Sequence, residues 1–368
     1  MGFAFLPVSP NTDHDIYSYK WDGFVSASNI NPYQHPPIFY THSKISAAFP
    51  FWTSLQFKEY TAIYPYVSQY IFYIDHILFG FSILGTKLFF LFFLVASIPI
   101  FFSLSSKLGS KVERIWLFIA NPLVLYETCG SVHNDIIVVF FFLLALNFLL
   151  GKKEVKAGVF FAFAIATKFI PLFLLFVFSK HSKNLRFLLF VIITLGILYI
   201  PSFFYIPFTN VFSTLFKYES EWTYVPGIYG FFSYLLITLH ISNSKLLLKV
   251  LYWFVLILLI SILFIKKHSK SSLIRECEII IGYVLLANSV YFPWYCLWIL
   301  CIIPFLKKSK IWLILSITSF LIPINGYSNE GMDFIKQVII WIPVYLTILY
   351  ENKTTIFLFF KNLKYHLT

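Results

Sequence analysis

Apolar runs long enough to cross ~30 Å of hydrocarbon as helices recur along this chain, separated by short charged or aromatic interludes. They predict spans at about 80–105, 136–150, 187–207, 245–265, 277–291, 294–306, 311–324 and 334–350. Two runs, about 115–128 and 228–241, are too short to cross comfortably, and the second, which follows a predicted polar-aromatic loop from Asn210 to Gly227, is predicted to lie along the interface. Residues 157–178 differ, because they carry Lys168 and Pro171 in their middle and lead into the basic cluster Lys180 to Arg186. A straight span would put that cluster on the wrong side. The pattern therefore predicts a re-entrant hairpin broken at Lys168–Pro171, which needs protein or a watery cavity around the break.

Composition agrees with this pattern. Of 368 residues, 59% are hydrophobic and 21% aromatic, and the mean hydropathy is +0.79. A soluble domain has too little interior for so many apolar side chains. The expectation is an all-α polytopic transmembrane bundle forming one domain over residues 1–368. Residues 9–75 would be a long outer loop bearing interfacial helices, and residues 80–350 would hold the transmembrane helices. The opening Met1 to Val8 looks like the last third of a span, so the first helix is either unusually short or begins upstream.

The net charge of +12 lies mostly in short clusters between the runs, which marks topology and gives no reason to invoke nucleic acid. The loops assigned to the basic side, with the tail, hold 19 of the 28 Lys and Arg residues, and the opposite face holds 11 of the 16 acids. Orientation follows Lys and Arg, so the acidic face is the non-cytoplasmic one. The expected location is the cytoplasmic (inner) membrane, multi-pass, with the functional site on that outer face. Cys129, Cys277, Cys296 and Cys301 show no metal spacing and read as small apolar residues.

The chemistry concentrates near the start, in Asn11-Thr-Asp13-His-Asp15-Ile-Tyr17-Ser-Tyr-Lys-Trp-Asp22-Gly23 followed by Asn31-Pro32-Tyr33. Three acids within ten residues, beside a membrane, are either a solvated turn-rich loop or a functional cluster. The Asp13-x-Asp15 spacing would also suit a divalent cation such as Mg or Mn, although such pairs are common without one. His133-Asn134-Asp135 joins two short helices, where Asn134 and Asp135 would cap the second. Lys168 would either snorkel or serve as counter-charge to a phosphate or to an acid of the site. Tyr291 to Trp298 would be an aromatic belt or part of a pocket. No Gly-rich phosphate loop, GxSxG or HExxH is present.

The first-loop motif resembles that of GT-C-fold glycosyltransferases using polyprenyl-phosphate sugars, nearest to bacterial mannosyltransferase-like membrane proteins of glycosyltransferase family 87. It is more distantly similar to the catalytic subunit of GPI mannosyltransferase I. Ile63-Tyr64-Pro65-Tyr66-Val-Ser-Gln69, Asn121-Pro122 leading to His133-Asn134-Asp135, Thr167-Lys168-Phe-Ile-Pro171 and Tyr291-Phe-Pro293-Trp294-Tyr295-x-x-Trp298 follow in family order. Ser18 stands where the family often has Arg, and Tyr64-Pro65-Tyr66 where it often has Tyr-Pro-Pro. The resemblance implies an inverting hexosyl-, most simply mannosyltransferase, taking its donor from a polyprenyl-phosphate sugar and delivering to a glycan or lipid acceptor. It implies Asp15, or next Asp13, as general base. Substrate binding would fall to Asp22, Tyr17, Tyr33, His133, Asn134, Asp135, Lys168, Trp294 and Tyr295. The competing classes are a transporter or flippase of a polyprenyl-linked glycan, and a non-catalytic partner of a glycan-assembly complex. A transporter would more often keep its acids near the bilayer midplane, and few lie inside these spans.

Overall fold

The computed structural model describes residues 5–7, 15–182, 184–265, 269–320 and 335–351. Helices dominate them: α1 Asp15–Ala27, α2 Tyr66–Phe79, α3 Ile83–Leu108, α4 Asp135–Leu150, α5 Glu154–Thr167, α6 Leu175–Ser182, α7 Leu185–Phe203, α8 Phe208–Glu221, α9 Ile228–Thr238, α10 Ser244–Ile265, α11 Lys270–Ala287 and α12 Lys310–Ser319. A last helix, α13, covers 335–351. The only β-type pairing among the described residues is an isolated bridge between Tyr224 and Val290. This is an all-α helical membrane bundle. Among the described residues two helices, α3 and α10, are long and apolar enough to cross a membrane. A third span results if Pro122–Gly130 and α4, bent by 117° at their junction, count as one.

Several predicted spans are thus shorter or broken. Pro293 precedes the 294–306 run and Pro304 interrupts it, and the segment forms the short turns Pro293–Tyr295, Cys296–Leu300 and Ile303–Phe305, since proline supplies no backbone donor inside a helix. The polar-aromatic stretch from 210 to 227, expected as a loop, is helical as far as Glu221. Its apolar residues Phe208, Val211, Phe212, Leu215 and Phe216 recur at one-turn spacing, which favours an amphipathic helix lying against the bundle.

The expected reversal at Lys168 is visible in how its neighbours pack. Gly158, near the start of α5, lies so close to α7 that a Cβ there would sit 2.5 Å from the Phe187 carbonyl oxygen. At the other end Ser68 donates to the Thr167 carbonyl, while Tyr66 packs edge-on against Tyr199. The helices α5 and α7 therefore run parallel, and the chain between them travels back. Lys168 itself is extended (φ −158, ψ 139), and a short turn Ile170–Leu174 leads into α6. Basic residues gather at the far end. Lys107 donates to Asn147 at the end of α4, and Lys180 pairs with Glu276 at 2.9 Å.

The helix α1 is locked to α2 and α3 by a buried ion pair. Lys20 Nζ lies 2.7 Å from Asp75 Oδ2, with both side chains nearly inaccessible. Removing two charges from water is costly, and further hydrogen bonds are needed to offset it. Lys20 also donates to the Gly80 carbonyl and Thr86 donates to Asp75. At Gly23 a Cβ would fall 2.2 Å from the Phe72 carbonyl oxygen, so the two backbones approach where only glycine fits.

Lys20→Met alone should destabilise the fold by about 3–5 kcal/mol, because it strands a buried carboxylate. The double variant Lys20→Met/Asp75→Leu should lose less than either single one. Equilibrium unfolding in mixed detergent micelles measures this, and additive losses would refute the coupling.

Candidate active site

A cavity of about 1180 Å³ opens between α1, the 55–65 segment, the Lys168 break, α8, α10 and the 292–298 turn. From α1 it receives Asp15, Ser18, Trp21 and Asp22, spaced as one helical face. Residues on the remaining surface of that helix, Tyr19, Lys20 and Gly23, are buried against α2 and α3. The sequence pattern sorts α1 in this way: Tyr19, Lys20 and Gly23 pack, and the two acids face the cavity together with Ser18 and Trp21.

Asp15 begins α1, where a carboxylate is favoured by the helix dipole. It accepts a hydrogen bond from Tyr64 at 2.7 Å and a longer one from Tyr19 at 3.4 Å. Across the cluster, Lys168 Nζ is held by both oxygens of Asp135, at 3.0 and 2.9 Å. Trp298 Nε1 donates to the same carboxylate at 2.6 Å. The ammonium of Lys168 lies over the rings of Tyr295 (4.9 Å), Trp298 (5.5 Å) and Tyr64 (6.0 Å), an arrangement that favours the cation electrostatically. Tyr295 in turn shares a 2.6 Å hydroxyl–hydroxyl hydrogen bond with Tyr218 of α8. The network therefore joins Asp15, Tyr64, Lys168, Asp135, Trp298, Tyr295 and Tyr218. Of the two partners expected for Lys168, an acid of the site is the one present.

The His133 turn supports this cluster from behind. His133 Nδ1 and Glu127 Oε2 are 2.7 Å apart, both fully buried. The imidazole stacks on Trp294 (3.7 Å, 15°), Trp294 on Phe292 (4.4 Å, 5°) and Phe292 on Tyr224 (4.6 Å, 22°). Both faces of Trp294 are thus covered. Val132, immediately before His133, has φ 67, a region a β-branched residue occupies only under constraint. Asn134 makes no side-chain cap on α4, contrary to the capping expectation. Its amide instead donates to Ser68 Oγ, whose hydroxyl donates on to Thr167 just before the break.

The expected residues therefore separate by position. Asp15, Asp22, Lys168, Trp294 and Tyr295 line the cavity. His133, Asn134 and Asp135 are buried behind it. Tyr33 donates to the Tyr64 carbonyl and packs on Tyr66, while Tyr17 packs on Phe51. Neither Tyr33 nor Tyr17 is among the lining residues. Asp13 lies outside the described residues. Among those described, no three His, Cys, Asp or Glu side chains converge as metal ligands would.

Unforeseen members are Tyr64, Trp298, Tyr218, Lys217 and Glu127, the partner of His133. Tyr64 and Trp298 sat inside quoted motifs, whereas Tyr218 and Lys217 fell in the segment expected to be a loop. Asp22 is buried, accepts from Gln69 Nε2 at 2.9 Å, and has its carboxyl pushed up to about 7 by burial, against the pull of that hydrogen bond.

Helices suited to an apolar phase, with a caged lysine and an acid at the end of an aromatic cavity, define a membrane protein with an enclosed polar site. Residues 4–181, just under half of the chain, match the sequence profile of the MptA/B family, described as alpha-(1->6)-mannopyranosyltransferase, N-terminal domain. That match supports a mannosyltransferase, and it covers Asp15, Tyr64, Asp135 and Lys168. The curated proteins give no match to the chain.

Because the folded state favours neutral Asp22, its contribution to stability is full below the unfolded value near 4 and is lost as pH rises through about 7. Asp22→Asn keeps the acceptor for Gln69 and removes that loss. The variant should melt higher than wild type at pH 8, by at most about 4 kcal/mol, and match it near pH 4. Melting curves in detergent at the two pH values check this; an equal shift at both would show that ionisation plays no part.

Proposed function

We infer that the cavity is the active site of a GT-C-like membrane glycosyltransferase, moving a hexose, most simply mannose, from a polyprenyl-phosphate sugar to a glycan or lipid acceptor. The observation that carries this reading is Asp15, a carboxylate presented by a helix start to the polar end of a large cavity. Apolar side chains, Phe169, Phe173, Phe212 and Trp253 among them, also line that cavity. Its volume, about 1180 Å³, exceeds the usual ~300–1,000 Å³ of a small-ligand site. That leaves space for a sugar, an acceptor group and the first part of an apolar chain.

In the proposed reaction Asp15 takes the proton of the acceptor hydroxyl as its oxygen attacks C1 of the donor sugar. The C1–O bond to phosphate breaks on the opposite face, its electron pair stays on the phosphate oxygen, and the anomeric centre inverts. Tyr64 and Tyr19 hold the Asp15 carboxylate in orientation. The Lys168–Asp135 pair fixes Tyr64, Tyr295 and Trp298 around the reacting groups. Fixing these dipoles before substrate arrives lowers the reorganisation required in the transition state.

Membranes carrying wild type or Asp15→Asn, given radiolabelled polyprenyl-phosphate mannose and, separately, glucose, test this function. Label should reach a glycan or lipid acceptor with wild type, from mannose in preference to glucose. Asp15→Asn should lower the rate by about 10²-fold or more, as expected for removal of a general base. Equal transfer by both proteins would refute Asp15 as the base, and no transfer by folded wild type would refute the transferase reading.

A further inference from the structure

The cavity's charges do not balance around a phosphate unless α8 takes part. Two of its lining residues are lysines, Lys168 and Lys217. The first is already neutralised: its ammonium is bound by both oxygens of Asp135, a carboxylate that Trp298 also engages. His133, expected to help bind sugar or phosphate, is fully buried against Glu127 and stacked on Trp294, and it is not among the residues lining the cavity. The acids that line the cavity, Asp15, Asp22 and Glu219, add no positive charge to it. An anionic donor, and the further negative charge that develops as the sugar leaves, need a cation that no carboxylate of the protein already holds.

Lys217 has the opposite character. It lies on α8 and is exposed, and no carboxylate of the described residues is within ion-pair distance of it. Glu219, two residues along, also lines the cavity but makes no ion pair with it. The contact that aims the Lys217 side chain is the face of Tyr60, 4.5 Å from Nζ to the ring centre. The surrounding contacts fix that position relative to the Asp15 cluster. Thr61, next to Tyr60, exchanges hydrogen bonds with Thr214 of α8. Tyr218, next to Lys217, bonds Tyr295, which carries Lys168 over its ring. Four residues after Tyr60 comes Tyr64, the donor to Asp15.

We propose that Lys217 binds the phosphate of the lipid-linked donor and stabilises the charge that collects on it as the C1–O bond breaks, while Lys168 keeps Asp135 and the aromatic cage in place. The proposal rests on the reading of the cavity as a site for a lipid phosphate sugar. In the balanced step the acceptor proton goes to Asp15, the bonding pair goes to the phosphate oxygen, and the lysine ammonium remains protonated throughout as an electrostatic partner.

The test uses the purified full chain in detergent and two probes differing only in the phosphate, geranylgeranyl phosphate and geranylgeraniol. Wild type should bind the phosphate form more tightly than the alcohol. Lys217→Gln should weaken the phosphate form by about tenfold or more, as for loss of a charge-assisted hydrogen bond, and leave the alcohol unchanged. Lys217→Arg should retain the preference. If wild type prefers the phosphate and Lys217→Gln still does, the assignment of Lys217 is overturned while the reading of the cavity stands. If folded wild type shows no preference, the lipid-phosphate reading falls and the assignment falls with it. Lys217 is exposed, so its replacement leaves packing intact, and an unchanged melting temperature confirms that for each variant.

Discussion

A lysine in an apolar run persists only if its charge is answered, and in this protein Asp135 answers Lys168. Much of the geometry follows from that pair. The carboxylate must come from the first turn of α4, which requires the preceding helix to break; Pro122–Gly130 meets α4 at 117°. The ammonium must come from the end of α5, which requires that helix to stop at Thr167 and the chain to turn back. Two interrupted helices are thus brought together at one point, where Asn134, Ser68 and Thr167 join them by hydrogen bonds. Irregular backbone at this depth is tolerable because side chains and neighbouring helices satisfy it.

The helix α1 depends on the same economy of charge. Its cavity face carries Asp15 and Asp22, and its opposite side carries Lys20, paired with Asp75. Rotating α1 would expose the acids to the apolar bundle and pull Lys20 from its partner, so a single buried pair fixes which acids the cavity receives. Gly23 adds a steric condition, since the carbonyl of Phe72 occupies the space a side chain would need. The Asp-Gly end of the first motif is therefore explained by packing as well as by chemistry.

The legible parts of the sequence were those whose meaning is local. Hydrophobic runs gave the helical class, the isolated charge at Lys168 with Pro171 gave the break, and the acids on α1 gave the polar end. What stayed hidden depends on partners far apart in the chain. Nothing near Lys20 points to Asp75, 55 residues away, or near Asp135 to Trp298, 163 residues away. Segment 208–221 was misread for another reason: its Tyr, Glu, Ser and Thr content suggests a loop, while its helical repeat is carried by Phe, Val and Leu at one-turn spacing. Asn134 has the residue type of a cap, yet its side-chain oxygen does not cap α4, and its amide N–H donates to a hydroxyl on α2.

These features divide the site into a rigid part and an added part. Two core lysines are matched inside the protein, Lys20 with Asp75 and Lys168 with Asp135, and Glu127 is hydrogen-bonded to His133. Charges matched in this way are well suited to holding dipoles still, and poorly suited to attracting an anion. The helix α8 supplies what the core lacks, joining it through Tyr218 to Tyr295, Thr214 to Thr61 and the Trp222 ring to Phe57. Its amphipathic pattern places Phe208, Phe212 and Phe216 on the same helix as Lys217. A molecule with an anionic head and an apolar chain would meet both characters along one helix, beside a carboxylate that the core has already oriented.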